Sequence, residues 1–105
     1  MNIHLIEKQH RFQMIDREKE TYESGVWAIS ENTAKSAING NIYFHKKQTE
    51  PSYFGGVILS YRVHDEGEFS GRIVFTFQAM IGHKHVKTGK AGWSMEKKMS
   101  KTAGT

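Results

Sequence analysis

Apolar residues in this chain recur mostly at every second position, in short runs broken by glycine and polar clusters, and that period predicts strands. Ile3 and Leu5 alternate with Asn2 and His4 in a first strand. Residues 11–15 alternate Phe12 and Met14 with polar neighbours and predict a second, although residues 2–20 also fit one amphipathic helix. Residues 16–24 are charged and predict a loop or a short helix. Val26, Trp27, Ala28 and Ile29 form a short buried strand. Ser30 then stands where a helix N-cap belongs, Glu31 follows in the first turn, and Ala34, Ala37 and Ile38 share one helical face. A two-turn helix over 31–38 follows, closed by Asn39-Gly40 in a left-handed cap.

Three further strands are predicted over 41–45, 55–63 and 72–77. Ile42 and Phe44 fall on one face of the first and Tyr43 and His45 on the other. Val57, Leu59, Tyr61 and Val63 share a face of the second, and Ile73, Phe75 and Phe77 a face of the third. Across the acidic turn at 64–71, Tyr61 and Val63 pair with Phe75 and Ile73 in an antiparallel hairpin. Strands do not alternate with long helices, which argues against a doubly wound parallel sheet. The expected fold is mainly β (α+β): a small, partly closed antiparallel β-barrel with one or two short helices. One domain over residues 1–100 and a flexible tail over 101–105 are expected.

Composition narrows the chemistry. The chain has 105 residues and no cysteine, so disulfides, thiolate metal sites and cysteine nucleophiles are excluded. No apolar run approaches the ~20 residues of a membrane span, and no leader is visible at the N-terminus. A cytoplasmic protein with no cofactor and no membrane partner is expected. Fifteen Lys and Arg against eleven Asp and Glu leave a formal charge of +4. Beyond His83 there are six Lys and one acid, Glu96, so the positive charge gathers towards the C-terminus. A basic surface favours polyanions.

The run Gly25-Val26-Trp27-Ala28-Ile29-Ser30, the short helix, Gly40-Asn41-Ile42-Tyr43-Phe44-His45 and Gly55-Gly56-Val57-Ile58-Leu59-Ser60-Tyr61-Arg62-Val63 together resemble the PUA-like superfamily, above all its EVE and ASCH branches. The likeness spans residues 25–77. It implies a small β-barrel that binds RNA or DNA, with modified bases read in an aromatic pocket in EVE-type members. It places Trp27, Ser30 and residues 43–48 near that pocket. An ASCH-like reading is equally open. ASCH-like relatives include hydrolases built on a Lys, a Thr and a Glu, the residue types of Lys47, Thr49 and Glu50.

Two clusters interleave aromatic with basic and amide groups, the mixture single-stranded nucleic acid asks for. The first holds Tyr43, His45, Lys46, Lys47, Gln48 and Tyr53; the second holds Lys90, Trp93, Lys97 and Lys98. Each has a plainer reading. Trp27 in a short apolar strand is a core residue by default, Ser30 is a cap, Trp93 packs the C-terminal segment down, and the lysines are a solvated face. The second cluster lacks the P-loop spacing. His83 and His85 have the spacing of two ligands on one strand face, but two histidines flanked by lysines read as surface residues, and no metal is expected.

The leading expectation is a nucleic-acid-binding module, RNA or DNA, rather than a catalyst. A hydrolase of nucleosides or RNA is the first alternative; it asks for Glu50 or Lys47 buried in a cavity. A protein-interaction or immunity module is the second; it asks for an exposed apolar patch and no concave pocket.

Overall fold

The computed structural model describes residues 1–89 and 91–100. Seven strands build one sheet: β1 (Asn2–Ile6), β2 (Gln13–Asp16), β3 (Thr21–Trp27), β4 (Asn41–His45), β5 (Phe54–Val63), β6 (Ile73–Ala79) and β7 (Lys97–Ser100). One α-helix, α1 (Glu31–Ala37), and two 3-10 turns, Gly67–Phe69 and Ile81–His83, complete the described elements. The strand order is β2-β3-β6-β5-β4-β1-β7. The mainly β expectation holds, but the sheet is mixed rather than antiparallel, because β1 and β4 run parallel. Parallel neighbours need a long crossover. Here β2, β3 and α1 lie within it, and alternation along single strands carries no sign of that pairing.

The sheet ends at β2 and β7, which do not pair with each other, so it is not closed. Two bulges flank β6. The β3–β6 register shifts between Glu23 and Val26, and the β5–β6 register shifts between Ile58 and Ser60. Bulges bend a strand and deepen its twist. The Ser24 hydroxyl stabilises the first by accepting from the Phe75 amide at 3.0 Å and donating to the Gly25 carbonyl at 2.8 Å.

The bulges explain two departures from the sequence reading. In β3, burial recurs every third residue (Thr21, Ser24, Trp27) rather than every second, and 21–24 is strand where its charged residues predicted a loop or a short helix. In β5, the core residue is Ile58, whereas Leu59 and Val63 are 42% and 41% exposed. The extra residue switches the strand's faces. The Tyr61–Phe75 and Val63–Ile73 pairs form as expected. Gly56 lets β5 press against β6: a Cβ there would overlap the Gln78 carbonyl.

Ile3, Leu5, Ile42, Phe44, Ile58, Ile73, Phe75 and Phe77 fill the core with Trp27 and the apolar face of α1. Phe12, from the β1–β2 loop, meets Phe44 at 4.7 Å and Phe54 at 5.0 Å between ring centroids. Ser30 caps α1, accepting from the Thr33 amide at 3.2 Å. The helix stops one residue short of Ile38, and Asn39 takes φ +70° as its closure requires.

Strand β1 is buried on both faces, as is most of β4. Their outer face is covered by the segment beyond β6. Ser52 ties this segment to the β4–β5 loop: its hydroxyl donates to the His83 carbonyl at 2.6 Å and accepts from the Val86 amide at 2.9 Å. The segment ends as β7, antiparallel to β1. Alternation did not predict β7, since Met99 is its only apolar residue. Among the described residues no helix is long and apolar enough to cross a membrane. The 101–105 tail lies outside the described residues.

Candidate functional site

Where the sheet stays open, the ends of β1 and β3 and the start of β7 line a cleft. Two adjoining cavities of about 270 and 330 Å³ share Val26, Trp27, Arg72 and Glu96. A third of about 230 Å³ continues past Lys8 and Glu96 to Lys47 and Gln48. Volumes near the lower end of ~300–1,000 Å³ suit small ligands or single residues of a polymer.

The charges are uneven. Lys8, Arg11, Arg72 and Lys97 line the first two cavities against Glu7 and Glu96. The Arg72 guanidinium lies 4.7 Å from the centre of the Phe69 ring, which orients it. Lys97 Nζ donates to the Ala28 carbonyl, joining β7 to the end of β3. Glu7 is buried; its Oε2 accepts from the Gln9 amide at 3.0 Å.

Trp27 sits at the boundary between core and cleft. It is 7% exposed and packs in the core, and it also lines both larger cavities. Its indole Nε1–H is buried and has no acceptor among the described residues. Buried donors are nearly always paired; His83 Nδ1 and Trp93 Nε1 are unpartnered among the described residues as well, and of the three only Trp27 lines one of these cavities.

The other anticipated aromatics lie elsewhere. Tyr43 and His45 share the outer face of β4 as alternation predicts, but they are buried rather than lining a pocket. Tyr43 is stacked between His4 and His83, with centroids at 4.7 and 5.0 Å. His45 Nδ1 donates to the Glu50 carbonyl at 2.8 Å, which leaves Nε2 bare to accept from His4 Nδ1 at 2.9 Å. Trp93 closes over both histidines edge-on, at 6.3 Å from His4 and 5.6 Å from His45. Lys98 is buried beside them and donates to the Gly89 carbonyl at 2.9 Å. Burial, with the neighbouring His45 and Lys98, pushes His4 down from 6.5 to about 4. Burial lowers His45 too, partly opposed by its bond to Glu50.

His83 is not the surface residue expected. It is half-buried, and its Nε2 donates to Asn41 Oδ1 at 2.8 Å; burial lowers its pKa. His85 is exposed.

The remaining candidates divide by position. Lys46 is exposed and sits 5.8 Å from the centre of the Tyr53 ring. Tyr53 donates from its hydroxyl to the Glu7 carbonyl at 2.6 Å, and burial beside Glu7 raises its pKa. Gln48 Nε2 donates to the Met95 carbonyl at 2.8 Å. Lys47 and Glu50 are exposed and 3.9 Å apart, so neither is the buried group a hydrolase reading asked for. Ser30 is exposed and occupied as a cap. Lys90 lies outside the described residues.

The structure therefore brings Trp27, Lys47, Gln48 and Lys97 together along one groove. It adds Lys8, Arg11, Arg72 and Glu7, which no spacing in the sequence marked. The comparisons name no relative: no family model, curated protein or solved structure matches the chain.

Proposed function

We propose that the chain binds nucleic acid, holding the phosphate backbone in the Trp27 cleft. The observation that carries this reading is the unpartnered, buried indole N–H of Trp27 in a cleft ringed by Lys8, Arg11, Arg72 and Lys97. A buried donor without a partner costs ~1–3 kcal/mol, and a phosphate oxygen or base carbonyl entering the cleft would relieve that cost. The surrounding cations supply the charge that such an oxygen needs. The reading agrees with the PUA-like resemblance, which places Trp27 near the pocket.

Titration with a short single-stranded oligonucleotide at several salt concentrations tests it. Binding is expected to weaken linearly in log[salt], and amide shifts are expected at Lys8, Trp27, Arg72 and Lys97. Changing Lys8 and Arg72 together to Ala removes two phosphate partners and flattens the slope by about 1.4. No binding to RNA or DNA at low salt, or an unchanged slope in the double variant, defeats the proposal.

A further inference from the structure

On the opposite side of the β1–β2 loop lies a second surface of different character. Residues Glu7, Lys8, Gln9 and Arg11 of that loop line the basic cleft, while His10 and Phe12 line a trough with Tyr22, Tyr53, Phe54 and Lys84. The trough measures about 290 Å³ and continues into a neighbour of about 250 Å³ that shares Tyr22, Phe54 and Lys84. The two surfaces are thus back to back across six residues of chain. The Tyr53 hydroxyl fastens them together through the Glu7 carbonyl.

The trough is aromatic in its walls and basic at its rim. His10 is exposed and tilted against Tyr53, with centroids at 4.6 Å. Tyr22 and Phe54 meet edge-to-face at 5.2 Å. Exposed Lys46 stands over Tyr53, and exposed Lys84 lines both halves. Glu20 is the one acid lining either half. Ring faces with flanking ammonium groups are the chemistry of base stacking beside a phosphate backbone.

We infer that this trough is a base-stacking subsite, holding an unpaired base of the same strand whose phosphates occupy the Trp27 cleft. The inference rests on the nucleic-acid reading and sharpens it, because it commits the ligand to a single strand. A paired base is stacked within its duplex and presents no free face; an unpaired one can turn onto His10 and Tyr53. Continuity of the two surfaces around one loop gives the strand a path, and Lys46 and Lys84 give its charge a partner along that path.

The test compares a short oligothymidylate, the abasic sugar-phosphate strand of equal length, and a duplex of equal length, all at one salt concentration. The protein is used native and as the His10→Ala, Lys84→Ala double variant, whose two sites are exposed. The native protein is expected to bind the base-bearing strand at least tenfold more tightly than the abasic strand or the duplex. The double variant is expected to lose most of that advantage, while its hold on the abasic strand falls only by the share of the one Lys84 charge. Equal binding of base-bearing and abasic strands overturns the stacking subsite and leaves the phosphate cleft standing. Tighter binding of the duplex also overturns it. Binding of none of the three overturns both readings. A second measurement, NMR shifts at Tyr22, Tyr53 and Ile81, locates the base independently: shifts there with oligothymidylate but not with the abasic strand support the trough, and their absence with both overturns it.

Discussion

The layer of His4, Tyr43, His45 and Trp93 and the cleft around Trp27 use the same vocabulary of aromatic rings, imidazoles and lysines, yet one is sealed and the other open. In the layer, each ring has another ring against it, and the histidines satisfy each other and a backbone carbonyl. Buried N–H groups without partners among the described residues occur in both, at Trp93 in the layer and at Trp27 in the cleft, but only the Trp27 indole lines a cavity that cations face. The difference comes from what covers them. The chain beyond β6 folds across the outer face of β1 and β4 and meets the cleft along one edge, through Ser94, Met95, Glu96 and Lys97. Aromatic and basic composition thus marks a region rich in chemistry without saying whether that chemistry is spent on packing.

If this contrast is right, substitutions in the layer cost stability and those in the cleft cost binding. The largest effect is expected for Tyr43→Ala, which removes the middle ring of a buried stack. About 3–4 kcal/mol of unfolding free energy should be lost in chemical denaturation. A loss under about 1 kcal/mol would mean that the layer is not packed as described.

Acid should act on the layer next. Between pH 6.5 and about 4 the unfolded chain holds a proton on His4 that the folded chain refuses, so stability falls as pH drops through that window. The loss from His4 alone is roughly 3 kcal/mol at the bottom of the window, and lowered His45 adds in the same direction. Denaturation curves at pH 7 and pH 4.5 measure it, and His4→Leu should remove part of the dependence.

In the cleft, Lys8→Ala should leave stability within about 0.5 kcal/mol while weakening oligonucleotide binding and its salt dependence. Trp27→Phe tests the indole N–H by itself. A ring still fills the core and the orphan donor is gone, so stability should move by no more than about 1 kcal/mol, while affinity for the strand falls. Unchanged affinity would assign the indole N–H to packing alone.

How far the sequence disclosed this follows from the range of the signals. Alternation within a strand is local, so the faces of β4 and β6, the capped helix and the β5–β6 hairpin were legible. Bulges insert one residue and invert the alternation, which misassigned Leu59, while charge disguised the first half of β3. The parallel β1–β4 pairing and the seating of β7 depend on contacts between distant segments, which no local pattern encodes. Of the residues that line the groove, Lys47, Gln48 and Lys97 drew notice because basic, amide and aromatic groups interleave around them, and Trp27 because the PUA-like resemblance places it near a pocket. Lys8, Arg11 and Arg72 were not, since each is isolated in sequence and joins the cleft only when three segments meet. Tyr43 and His45 were placed on the right face, but the cover over that face comes from the segment beyond β6, far away in the chain.

The seating of β7 beside β1 also bears on how the molecule comes to exist. Contacts between segments so far apart in the chain are slow to form, because a long loop must close before anything rewards its closure. The hairpin of β5 and β6 needs no such wait. Until β7 seats, the cleft lacks the wall that holds Glu96 and Lys97. Competence to bind should thus appear with the last and slowest phase of refolding, later than the bulk of the strand signal.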